Sequence, residues 1–143
     1  MSAGSGIAHS EKNASSSEDV NFLQIWVFPK ERNIQPRYEQ RVFNKADRLN
    51  KLQTVVSPEK EGGALWINQN AWFSLTNLAK GSALDYTLRK SGNGVYLFVI
   101  GGEVTIADQA LSRRDGLGIT DTDNITLRAG TDAEVLIMEV PMN

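Results

Sequence analysis

GVYLFVIGGEVTIADQALSRRDGLGIT, residues 94–120, carries short apolar runs between glycine turns and no helical period. Tyr96 to Ile100 is apolar at every position, the pattern of a central strand covered on both faces. Gly101-Gly102 interrupts that run, EVTIAD (103–108) follows, and the turn RRDGLG (113–118) leads into LGITD (117–121). The same rhythm continues outward. Downstream lie NITLRA (124–129) and AEVLIMEVP (133–141); upstream lie LQTVVS (52–57), ALWINQ (64–69), AWFSLTNL (71–78) and SALDYTLRK (82–90). EGG (61–63), AKGS (79–82), SGNG (91–94) and RAGTD (128–132) supply turns between them. In NITLRA, Ile125 and Leu127 fall on one face and Thr126 and Arg128 on the other. Many short strands at this spacing predict an all-β sandwich or barrel.

The N-terminal third differs. VNFLQIWVF (20–28), rich in β-branched and aromatic residues, reads as a strand closed by Pro29. Residues 29–52 are charged and irregular, with one short strand expected around Tyr38 to Phe43 and a helical turn before Leu52. The expected division is 1–30, a connecting segment at 31–52, and a barrel at 53–143.

The totals restrict function. At 143 residues the chain has the size of one domain, and 41% hydrophobic with 22% charged residues is ordinary for a soluble protein. A net charge of −2 argues against nucleic acid and anionic membrane as partners. No cysteine is present, which removes disulfides, thiolate catalysis and thiolate-bound zinc and fits a reducing compartment. Without a secretion-type N-terminus or a membrane-length apolar run, a cytoplasmic location is expected.

His9 is the sole histidine and stands two residues before Glu11. In extended backbone, positions i and i+2 project to one face, so both side chains can converge on one metal ion. Two ligands fall short of an oxygen-activating centre, which needs at least two histidines and a carboxylate. The His-x-Glu pair also opens the zinc-deaminase signature, but that signature requires cysteines and is excluded. With one histidine and no nucleophile elbow, no Ser-His-Asp triad can be assembled. Glu103 and Asp115 read as solvated turn residues.

AGSGIAHSE (3–11), FLQIWVFP, PRYEQRVF, ALWINQNAWFSLTNL and the 94–120 stretch, in this order, resemble the C-terminal portion of pirin-like proteins. Those are bicupins, so the resemblance implies a cupin double-stranded β-helix, a jelly-roll-like barrel, at 53–143. It also implies that 1–30 is the remnant of a second, N-terminal barrel. The family pattern holds an iron-class metal through three histidines and one glutamate. Its Ala-Gly-x-Gly-x-x-His-Ser-Glu part maps onto Ala3, Gly4, Gly6, His9, Ser10 and Glu11, whereas its His-x-His strand is absent from these 143 residues. His9 and Glu11 are therefore the candidate metal ligands, with Glu11 also the candidate proton acceptor. In the second barrel, counting back from Gly101 or Gly102 puts the cupin glutamate at Gly94 or Val95 and the histidines among Thr87 to Ser91. None of these residues is a ligand.

The resulting expectation is a binding or assembly module with no tightly bound cofactor. The alternative is a metal-dependent quercetin 2,3-dioxygenase using iron or another divalent transition metal, its site completed by another subunit. A regulatory protein-binding role is a further family implication. The partners expected are a second copy of the chain, held by segment exchange because residues 20–28 would otherwise leave apolar edges open, and a planar aromatic small molecule. Trp66, Trp72, Phe73, Tyr86, Tyr96 and Phe98 would line its pocket in the barrel, or else serve as core.

Overall fold

A computed structural model describes residues 1–60 and 62–142. Its strands are β1 (Gln53–Ser57), β2 (Leu65–Trp66), β3 (Trp72–Leu78), β4 (Ala83–Thr87), β5 (Asn93–Gly101), β6 (Val104–Ile106), β7 (Gln109–Leu111), β8 (Gly116–Ile119), β9 (Asn124–Ala129) and β10 (Ala133–Pro141). They form a six-stranded sheet in the order β2-β1-β3-β10-β5-β8 and a four-stranded sheet in the order β4-β9-β6-β7. Apart from the parallel β1–β2 pair, the strand pairings are antiparallel. The two sheets face each other as an all-β cupin barrel.

Alternation along each strand divides the side chains between two cores. Leu97 and Val99 of β5, Ile125 and Leu127 of β9, and Val135 and Ile137 of β10 point between the sheets and are buried. Each such aliphatic side chain contributes about 1.5–3 kcal/mol on leaving water. The intervening residues of β10, Leu136 and Met138, point outward into a second cluster with Phe73 and Val55. Val27 and Phe43 of the N-terminal third lie over that cluster, leaving Phe98 and Ile100 half-buried beneath. Cover on both faces of β5 therefore comes from the barrel on one side and an irregular segment on the other.

The N-terminal third has little regular structure. A 3-10 helix at Lys45–Arg48 supplies the helical turn expected before Leu52; the Asn44 side chain caps it by accepting from the Ala46 amide at 3.0 Å. The strand expected at 20–28 does not form, nor does the one at 38–43, just before which Arg37 makes an isolated bridge with Ser2. The 20–28 backbone finds no sheet edge along which to pair. Its exposure nevertheless alternates, with Val27 half-buried while Trp26 and Phe28 are 88% and 92% exposed. ALWINQ is shortened to β2, and the hairpin partner β7 was absent from the sequence reading. In the turn expected at 61–63, Gly62 and Gly63 adopt left-handed φ of +82° each, while Glu61 lies outside the described residues. Asn143, the last residue of the expected 53–143 barrel, also lies outside them.

Candidate functional site

His9 and Glu11 come together. The His9 Nε2 to Glu11 Oε1 distance is 2.9 Å, and the side chains are 39% and 59% exposed. The segment before them is tied to the connecting region: the Ser2 amide donates to the Arg37 carbonyl at 2.9 Å and the Arg37 amide to the Ser2 carbonyl at 3.1 Å. Ser5 donates to the Ile34 carbonyl at 3.1 Å. Gly4 makes this approach possible, because it has φ of +56° and a Cβ there would stand 2.0 Å from the Ile34 oxygen. The first glycine of the Ala-Gly-x-Gly stretch thus has a packing reason.

The donor set around the pair is short. Among the described residues, no three His, Cys, Asp or Glu side chains stand close enough to share an ion. One imidazole and one carboxylate on an exposed segment do not by themselves fit an iron-class centre.

The sequence reading missed a second carboxylate. Glu139 of β10 is fully buried and faces the barrel interior opposite Trp72 and Val95. Its Oε1 accepts from the Lys90 amide at 3.0 Å and Asn93 Nδ2 at 2.8 Å; its Oε2 accepts from the Tyr86 hydroxyl at 2.8 Å and the Arg89 amide at 2.9 Å. The signal was available, since Glu139 continues the inward parity of Val135 and Ile137 in an otherwise apolar run. Burial, then the hydrogen bond to Glu139 and its charge, push the Tyr86 hydroxyl well above its ordinary value. Nearby, burial works against ionisation of Glu59. Hydrogen bonds from its own backbone, from Ser57 and from the Trp72 indole, with the Arg89 charge, outweigh burial and hold its carboxyl below the usual range. The Trp72 Nε1 to Glu59 Oε2 distance is 3.0 Å.

Residues 87–91, where the cupin histidines were counted, therefore present backbone donors to Glu139. With four donors on its two oxygens, Glu139 acts as a structural pin across β10 and the β4–β5 connection. Of the six aromatics expected around an interior ligand, Tyr86 belongs to the inner core, and Trp72 shares the inward face of Glu139. Phe73 and Phe98 point to the outer cluster, Tyr96 is exposed, and Trp66 lines a surface cleft. Strand parity separates Tyr96 and Phe98 from the inward Leu97 and Val99, so these aromatics do not form one interior pocket.

Comparison with known proteins agrees with the architecture. Residues 54–140 match the family described as the Quercetinase C-terminal cupin domain. The chain is 39% identical over 141 residues to Quercetin 2,3-dioxygenase of Escherichia coli K12, covering 99% of this chain and 59% of that protein. It is 36% identical over 140 residues to Pirin-like protein of Caulobacter vibrioides, covering 97% of this chain and 60% of the relative. The chain thus spans about six-tenths of the length of these curated relatives. The crystal structure of YhhW from Escherichia coli superposes with a TM-score of 0.75 at 34% identity, covering 81% of this chain and 48% of that one. YhhW in complex with nickel(II) gives 0.72 at 34% identity, with 79% and 47% covered. No helix among the described residues is long and apolar enough to cross a membrane. On the matching domain, its fold and these identities, the chain belongs to the pirin-like cupin family.

Proposed function

We propose that these 143 residues act as a binding and assembly unit of the pirin-like family, with no complete oxygen-activating centre of their own. The carrying observation is the isolation of His9 and Glu11 from any third ligand among the described residues. The barrel interior supports the same reading, because aliphatic side chains fill it and the donors around Glu139 occupy both its oxygens. The partner in this reading is a second copy, received by the aromatic strip at 20–28.

The second reading is quercetin 2,3-dioxygenase activity, with the metal site completed by another subunit. It is favoured by the convergence of His9 and Glu11 and by the name of the 39%-identical relative. Two such pairs meeting across a two-fold axis would supply two histidines and two carboxylates. Elemental analysis and a quercetin assay separate the readings. The purified chain is expected to hold iron, nickel, copper and zinc far below one equivalent. With added iron or nickel it is expected to leave the flavonol absorption band unchanged relative to buffer. One metal per two chains, with turnover abolished by His9→Ala, would establish the second reading instead.

A further inference from the structure

A cleft of about 360 Å³ opens outside the barrel, between residues 37–41 on one side and Lys60, Gly63, Ala64 and Trp66 on the other. Arg37, Glu39, Arg41, Lys60, Gly63 and Trp66 line it. We propose that this cleft binds a small oxyanion, through a carboxylate or phosphate group.

Charge is the first ground. Among the described residues that line the cleft, three cations face one carboxylate in a chain whose net charge is −2. Glu39 is already engaged, at 2.5 Å from Arg37 Nη2 and 3.7 Å from Arg41 Nη2. Lys60 makes no ion pair among the described residues. Among the described residues two positive charges are thus left over at one concavity, which draws anions from solution.

The cations are also held in place before any ligand arrives. The Arg37 guanidinium carbon lies 5.1 Å from the centre of the Trp66 ring, and Lys60 Nζ lies 5.3 Å from it. Arg37 Nη1 donates to the Trp66 carbonyl at 3.2 Å, and Arg41 Nη1 donates to the Gly63 carbonyl. Gly63 leaves room for Arg41, since a Cβ there would stand 3.3 Å from Nη1 and its φ is +82°. The Arg37 backbone is fixed by its two bonds to Ser2. A guanidinium has about five N–H donors. Each arginine therefore keeps donors to offer, and much of the ordering cost of binding is already met. None of this involves His9 or Glu11, so the site is independent of any metal.

The test is calorimetric titration of the full chain in metal-free buffer at low ionic strength, with inorganic phosphate in one arm and benzoate in the other. Saturable one-to-one binding is expected in at least one arm, and the arm that saturates identifies the group. Arg41→Met and Lys60→Met are each expected to weaken it about tenfold or more, as loss of a charge-assisted contact does. Lys80→Met, at a distant turn, should leave it unchanged. The Lys60 side chain is exposed and makes no hydrogen bond among the described residues, so its removal reads binding without disturbing the fold; melting curves check this for both variants. No saturation in either arm below about 20 mM, a loss affecting all three variants equally, or heats reproduced by chloride would overturn the proposal.

Discussion

Glu139 faces Val95 and Trp72 across the sheet and has no exposed surface, yet its oxygens receive four donors from residues 86–93. Glu139→Gln replaces one accepting oxygen with an N–H₂ that meets donors. Stability should fall by about 2–4 kcal/mol, read from urea denaturation. Thr76 presents the opposite case, because its buried hydroxyl has no hydrogen-bond partner among the described residues. Thr76→Val keeps the shape and removes the unpaired oxygen, so a gain of about 1 kcal/mol is expected by the same measurement. Tyr86 adds a pH dependence. Its folded-state value is raised above the ordinary 10.0 of the unfolded chain, so its contribution is fully present below pH 10.0. Above that pH the unfolded chain releases this proton while the folded one keeps it, and stability declines as pH rises. Tyr86→Phe should show a shallower alkaline decline in denaturation series run on either side of pH 10.0.

At the scale of elements, segments with two-residue alternation or a continuous apolar run became strands: NITLRA, AEVLIMEVP, AWFSLTNL and the Tyr96–Ile100 run. Periodicity suffices there because each strand has a neighbouring edge to bond. The 20–28 stretch has the same composition and remains unpaired, since strand hydrogen bonds require a partner that its own sequence does not specify. β7 escaped notice because three residues carry too little pattern, and only pairing with β6 defines it. The alternation at 20–28 turns Val27 toward the outer cluster and leaves Phe22, Trp26 and Phe28 exposed. An aromatic strip of this kind favours association. In the assembly proposed above, sedimentation at micromolar concentration should give a dimer, and Trp26→Ser with Phe28→Ser should shift it to monomer. A clean monomer for the unaltered chain would refute the second copy as partner.

For the molecule as a whole, the single histidine, the absence of cysteine and the glycine-punctuated strands are enough for an all-β fold and a short donor set, and the family resemblance narrows that fold to a cupin barrel. Those are properties of composition and local periodicity, which hold wherever the chain folds. The AGSGIAHSE stretch likewise disclosed His9 and Glu11, and extended backbone geometry brought them within 2.9 Å. Tertiary structure alone decided the rest. It laid the N-terminal third over the outward aromatics, brought donors from the β4–β5 connection onto Glu139, and gathered Arg37, Arg41 and Lys60 with Trp66 at one cleft. Each of these depends on which distant segments become neighbours. Local patterns set which face of a strand a side chain takes and, through the turns, the register of a hairpin, but they do not say which distant segments will meet.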